Sequence, residues 1–415
     1  MKIIMGVVKL PALVDYWATD TRYDKVADIM PVKRFQSLSR MLHFQDNMTA
    51  EPNEDRLFKI RPVLNHMRTR CLAIESENQF SIDEMMVPYK GGKAGSLRQY
   101  LPSKPKKWGF KMFVRAGVSG FVYDFIVYTG KSTFDATHTS NKEFGLGANV
   151  VLNLCRTITN PTDCVVYFDN FFTSLKLMTH LNDEMGLRSL GTIRKNRLMG
   201  CSLEEDQSLL KKGRGSHDSR VDNDAQLAVV KWADSRTVTL ASTCAAVNPV
   251  GEYNTHMGGV DLADMLVALY RTPTKSDRWY MAIFWQMIDI AVNNAWLLHR
   301  RDAEALHQDH ESLKSFRLDV AKALMYTEKE TRGRPPKHHK VTPPTNKVVK
   351  QPKVPRPVDD VRYDQINHFP VLSKKGRCRM CLEGQTFVMC GKCKVRLCIV
   401  SGKNTRNCFL AFHCQ

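Results

Sequence analysis

Apolar side chains recur every third or fourth position through residues 31–44 and again through 62–74, a period that predicts two helices with one buried face each. From Phe80 the period changes. Residues 110–116 and 121–129 alternate or run apolar around Gly117-Val-Ser-Gly120, which predicts a hairpin. A helix is expected over 147–158 and a buried strand over 164–168, ending at Asp169. Another helix is expected over 174–185, with Gly186 as its stop, then a short strand near 189–193. An insertion follows over about 195–245. It carries a basic glycine-rich loop at 211–216 and a strand pair at 228–232 and 237–242. A helix begins at Asp261, and helices resume over 279–300 and 303–326.

Strand, hairpin, helix, strand, helix and strand, in that order, match an RNase H-like α/β core. The expected organisation is a helical region at 1–75, the core at 76–270 with its insertion, a helical region at 271–330, a linker at 331–366 and a cysteine-rich end at 367–415. The linker assignment rests on composition, because residues 331–358 hold eight Lys/Arg, seven Pro and no acid, too little apolar surface for a core.

Charge sharpens this picture. The 415 residues contain 61 Lys/Arg against 42 Asp/Glu, a net +19, and residues 331–415 alone carry 18 basic against 4 acidic side chains. Such a localised excess suits a polyanion, since each neutralised phosphate releases counterions. No secretory signal is recognisable. The longest apolar helix candidate, 279–298, is broken by Gln286, Asp289, Asn293 and Asn294, which argues against a membrane partner. The cysteines are therefore expected to stay reduced and to serve metals before disulfides.

Two groups of residues carry candidate chemistry. Asp83, Asp169 and Asp261 each stand at the edge of an apolar run, 86 and 92 residues apart, and Asp264 shares a helical face with Asp261. Carboxylates that converge from such distances can hold two Mg²⁺ or Mn²⁺ ions for an in-line phosphoryl displacement. By pattern alone, an aspartate at a strand end is more often a turn or cap residue. The second group is Cys378-x₂-Cys381-x₈-Cys390-x₂-Cys393-x₄-Cys398, followed by Cys408 and His413. Its two Cys-x-x-Cys knuckles supply four thiolates, enough for one tetrahedral Zn²⁺, and the remaining ligands begin a second site. The eighth ligand is His368 or Cys414. Two zinc ions in a cross-braced finger are expected, with a single ion as the alternative.

The sequences around the acids are specific. Phe80-Ser-Ile-Asp-Glu-Met-Met-Val-Pro-Tyr89 is followed by Lys104-Pro-Lys-Lys-Trp-Gly-Phe-Lys111; then come Val165-Val-Tyr-Phe-Asp-Asn-Phe-Phe-Thr-Ser174 and Tyr253-Asn-Thr-His-Met-Gly-Gly-Val-Asp-Leu-Ala-Asp264. Over about 330 residues and into the cysteine-rich end, the chain closely resembles piggyBac transposases and the piggyBac transposable element-derived proteins of animals. The resemblance implies that Asp83, Asp169 and Asp261 are the catalytic acids, with Asp264 as a further essential acid. It also implies two divalent ions, a double-stranded DNA partner with transposon ends and a TTAA target, a homodimer, and a nuclear location. Measured against the family pattern, the region before Gly6 and the stretch 242–254 look short. The cysteine-rich end resembles the domain that recognises transposon-end DNA. Arg332-Gly-Arg-Pro-Pro336 contains an AT-hook core, in which Arg332, Arg334 and the nearby Lys337 suit a narrow A·T minor groove; a basic nuclear-import segment is the alternative. A domesticated, catalytically silent DNA- or chromatin-binding protein is the second functional expectation. Trp279, Trp285 and Trp296 are expected in the core, and His256 in a structural role.

Overall fold

The first strand carries the first candidate acid at the centre of a nine-stranded mixed sheet. Chain order gives β1 Gln79–Pro88, β2 Gln99–Tyr100, β3 Trp108–Gly117, β4 Val122–Val127, β5 Val165–Phe168, β6 Arg188–Thr192, β7 His217–Asp222, β8 Leu227–Ala233 and β9 Thr237–Ser242. Across the sheet the order is β2-β3-β1-β5-β6-β9-β8-β7, with β4 also paired to β3. The β1 strand lies antiparallel to β3 and parallel to β5, and β5 is parallel to β6, so β4-β3-β1-β5-β6 forms the expected RNase H-like core. This computed structural model describes residues 1–46, 48, 55–102, 104–130, 133–134, 143–244, 248–327, 357–381, 384–401 and 405–414. Arg332, Arg334 and Lys337 lie outside the described residues. The chain divides into two units, Met1–Glu330 and Thr331–Gln415.

The insertion extends the core sheet. Its last strand, β9, pairs antiparallel with β6, aligning Leu190 with Ser242, and β8 and β7 continue outward. Hydrophobic patterning does not reveal β7, because His-Asp-Ser-Arg-Val-Asp is polar on both faces. It is an exposed edge strand joined to β8 by main-chain pairing.

The helices of the first unit are α1 Lys2–Val7, α2 Asp24–Ala27, α3 Val32–Met41, α4 Arg61–Leu72, α5 Leu146–Cys155, α6 Leu175–Met185, α7 Asp206–Lys211, α8 Pro249–His256, α9 Gly259–Leu269, α10 Tyr280–Ala305 and α11 Leu313–Tyr326. Ser174 caps α6 by accepting from the Leu177 amide, and Gly186 ends it in the left-handed region at φ +63°. The expected break between the last two helices lies further on: α10 runs through residue 305, His307 takes a positive φ, and Ser312 caps α11 by accepting from Ser315 N–H.

Side chains alternate across β1. Phe80 and Ile82 pack with Val151, Leu154 and Leu177 of α5 and α6, while Met85 and Val87 pack with Val260 and Val267 of α9 and Ile283 and Met287 of α10. By the same alternation Asp83 belongs to the α9 side. Among the described residues no helix is long and apolar enough to cross a membrane.

A buried ion pair ties these helices together. Arg317 on α11 donates to Asp289 Oδ1 on α10 at 2.5 Å, to Asn293 Oδ1 at 3.2 Å and to the Tyr270 carbonyl at 3.0 Å, while Asp289 also accepts from the amide and hydroxyl of Thr272. Both charged side chains are at most 1 % exposed. Replacing Arg317 with Met strands the Asp289 charge, and urea unfolding is expected to show a loss of about 3–5 kcal/mol. Adding Asp289→Asn recovers part of it. Additive losses in the double variant would refute the coupling.

Candidate active site and metal centres

Three remote segments bring the candidate acids to one edge of the sheet. Asp83 pairs with Val114 across β1 and β3, and Ile82 pairs with Phe168 across β1 and β5, which sets Asp169 just beyond the neighbouring strand. The segment after β5 folds back on itself: Asp169 Oδ1 accepts from Phe171 N–H at 2.8 Å, and its carbonyl accepts from Thr173 Oγ1 at 2.8 Å. Arg197 fastens this turn by donating to the carbonyls of Asn170, Phe171 and Thr173.

Asp261 and Asp264 arrive on α9, whose first turn docks on β1. The Val260 amide donates to Ser81 Oγ at 3.0 Å, and a Cβ on Gly259 would lie 2.2 Å from the Gly117 carbonyl oxygen. Glycine at 259 is what permits that approach. The helix presents Asp261 with 74 % of its side chain exposed and Asp264 with 32 %.

The surrounding groups register all four acids. Lys104 Nζ lies 3.8 Å from Asp261 Oδ1, and its charge favours the ionised forms of Asp83 and Asp264. Burial, reinforced by the neighbouring Glu84, pushes the Asp83 carboxyl up to about 7; the Asp169 charge adds to the shift. Burial likewise raises Asp169 and Asp264. The Tyr253 phenol on α8 is pushed up to about 12, first by burial and then by the charges of Asp169, Asp83 and Asp261 together. Lys111 sits 3.8 Å from Glu84 and within reach of Asp83 and Asp169. Lys104, Lys111 and Tyr253 lie in the stretches that carry the acids, and the basic run 104–111 between two of those acids is the signal that marks the lysines. His256 is structural as expected: it pairs with Glu252 and stacks on Tyr167 at 5.0 Å.

This oxygen-rich, partly buried edge suits hard divalent cations. Among the described residues the acids form no group of three whose ligand atoms all lie within 4.8 Å of one another. That separation is compatible with a shared pair of ions, themselves about 3.5–4 Å apart, each held by different carboxylates.

In the second unit the metal-ligand atoms are already gathered. The short helices α12 Asp359–Arg362 and α13 Cys408–His413 flank strands β10 Pro370–Arg377, β11 Gln385–Cys390, β12 Ile399–Val400 and β13 Arg406–Asn407. One cluster is Cys378, Cys381, Cys398 and Cys408; the other is His368, Cys390, Cys393 and His413. The two Cys-x-x-Cys knuckles therefore do not share one site. Each contributes to a separate cluster, the clusters alternate along the chain as a cross-brace requires, and His368 is the eighth ligand rather than Cys414. Hydrogen bonds set both imidazoles. His368 bonds Asp364 through Nε2 at 2.9 Å and turns Nδ1 to the Cys390 and Cys393 sulfurs at 3.4 Å; His413 bonds the Phe409 carbonyl through Nδ1 and turns Nε2 to Cys393. Thiolate and imidazole donors with the second ring nitrogen engaged fit zinc.

Residues 1–296 match the family described as Transposase IS4. The chain is 32 % identical over 422 residues to the human (Homo sapiens) PiggyBac transposable element-derived protein 3, with 95 % of this chain and 66 % of that protein covered. It is 26 % identical over 415 residues to the human PiggyBac transposable element-derived protein 2, covering 92 % of this chain and 66 % of that protein. The chain thus spans just under two thirds of the length of these curated relatives. A solved piggyBac transposase synaptic complex with hairpin DNA has the same fold, with a TM-score of 0.69 at 21 % identity over 96 % of this chain and 85 % of that one. By its match over residues 1–296, and consistent with these relatives, the chain belongs to the piggyBac-type Transposase IS4 family.

Proposed function

We propose that this chain cuts and joins DNA strands, with Asp83, Asp169, Asp261 and Asp264 holding two Mg²⁺ or Mn²⁺ ions. The observation that carries this reading is the gathering of acids from β1, the end of β5 and α9 around Tyr253 and Lys104. Bound ions of this kind activate a water or 3′-hydroxyl and stabilise the leaving oxygen. The protein's own contribution is to hold the acids apart on a rigid sheet edge and to place Lys104 and Lys111 where they can neutralise strand phosphates. The substrate proposed is double-stranded DNA carrying piggyBac-type ends at TTAA sequences, acted on by a homodimer in the nucleus. Zinc at both cysteine-rich clusters would present that unit's basic surface to the same DNA.

A specific observation favours a second reading. The only groups of three or more potential ligands within 4.8 Å, among the described residues, are in the cysteine-rich unit. A catalytically silent DNA- or chromatin-binding protein would need nothing more. One experiment separates the two: the full chain is incubated with labelled DNA bearing piggyBac-type ends beside TTAA, in Mg²⁺, Mn²⁺ or EDTA. Cleavage with either ion and none in EDTA is expected. Salt-sensitive binding without cleavage under any condition would leave the silent binder.

A further inference from the structure

Beside the acids lies a cavity of about 500 Å³, most of whose lining has no part in the proposed cleavage chemistry. Lys104 and Asp264 stand on its wall, so it opens from the acidic edge itself. Three further cations, Lys9, Lys106 and Arg271, surround it. The acids there are already engaged, Asp264 with Arg271 at 3.4 Å and Asp289 with Arg317 and Thr272, so the lysines give the cavity a net positive lining. The indole of Trp285, half-buried and packed against the core, forms part of the wall.

The geometry points to a binding site for one unpaired nucleotide of the DNA strand that leaves the acids, its phosphate on the lysines and its base against Trp285. This rests on the reading of the acids as a DNA-cleaving site. The volume lies in the roughly 300–1,000 Å³ range of sites that enclose a whole small ligand. It is too small for a duplex. Stacking and cations make such sites tolerant of sequence, and the floor agrees: Gln286 Oε1 accepts from Arg271, its amide faces Met85 sulfur, and both oxygens of Asp289 are taken. Few hydrogen-bonding groups on the floor are left to read a base edge. The nucleotide is therefore held whatever its identity, which suits a strand-positioning role rather than recognition.

The test uses the full chain and a duplex with a short single-stranded arm carrying 2-aminopurine, titrated by fluorescence against the same duplex without the arm. Trp285→Leu keeps apolar bulk; Lys9→Gln with Lys106→Gln alters only exposed residues and guards against misfolding of the first variant. Wild type is expected to quench the probe and to bind the armed DNA more tightly than the blunt duplex. Trp285→Leu is expected to lose the quenching and weaken arm binding by roughly fivefold or more. The double lysine variant is expected to lower the salt dependence of arm binding by about 1.4 in the log–log slope. Blunt-duplex binding stays unchanged in both. Arm binding and quenching equal to wild type in both variants would overturn the site. Cleavage by wild type together with that result leaves the catalytic reading intact, whereas arm binding that depends on the cavity without any cleavage removes the catalytic reading and keeps the nucleotide site.

Discussion

Native mass measurement of the intact chain is expected to give two zinc ions, and Cys390→Ser is expected to bring the count below one rather than to one. The coupling follows from the interleaved ligand order. His368 and His413 of one cluster enclose in sequence all four cysteines of the other, and Cys390 and Cys393 lie between its two halves. The buried core of this unit is largely its own ligands: among the described residues, Cys378, Cys390, Cys393, Cys398 and Cys408 pack with only Val395, Leu397, Phe409 and Phe412 as buried apolar partners. So little apolar area cannot offset the ordering entropy of the segment. Structural zinc contributes about 10–16 kcal/mol in small finger peptides, so zinc bound at these clusters would carry the fold of this unit. Cys414→Ser is expected to keep both ions, because Cys414 belongs to neither cluster. A Cys390→Ser protein that retains one ion and the ordered β10–β11 hairpin would show the sites to be independent.

How much of this could be read beforehand depended on the kind of signal. The β1, β3, β4 and β5 strands and the α5 and α6 helices follow from apolar periodicity and the stops at Gly120 and Gly186, because each buries a face against the same core, while β6 buries Leu190 against Tyr167 and Leu240. The α9 helix was legible in its acids. The structure adds the reason for Gly259 before them, a main-chain approach that only the tertiary neighbour Gly117 reveals. The β7 strand leaves no hydrophobic signal because an edge strand held by main-chain bonds needs no apolar alternation. The end of α10 at residue 305 carries no glycine or proline to mark it in the sequence; a positive φ at His307 follows it. Likewise, cysteine and histidine spacing marks this end as ligand-rich, but which knuckle serves which cluster is a property of the fold alone. Lys104 with the cavity it lines, and Tyr253 beside the acids, come from segments whose proximity no local pattern encodes.

The aspartates admit a test that separates chemistry from folding. Asp83→Asn, Asp169→Asn and Asp261→Asn are each expected to lower the rate of metal-dependent DNA cleavage by at least about 10³-fold, because each removes a charge from the electrostatic cradle of the reaction. Their effects on stability should differ. Burial and Glu84 raise the Asp83 carboxyl to about 7. Its ordinary value is near 4, so the native state binds this proton more tightly than the unfolded chain does, and the metal-free protein loses stability as pH rises from about 4 to about 7. Asp83→Asn removes that loss and is expected to make the metal-free protein more stable than wild type at pH 7.5. Asp261, largely exposed, is expected to have little effect there. Mn²⁺ should raise the wild-type melting temperature in EDTA-free buffer and raise that of the Asp83 and Asp169 variants less, since only the native carboxylates bind it. Loss of cleavage accompanied by unchanged Mn²⁺ stabilisation would mean that the acids act on DNA without holding the metal. Cleavage that survives in all three variants would exclude this edge as the place where strands are cut.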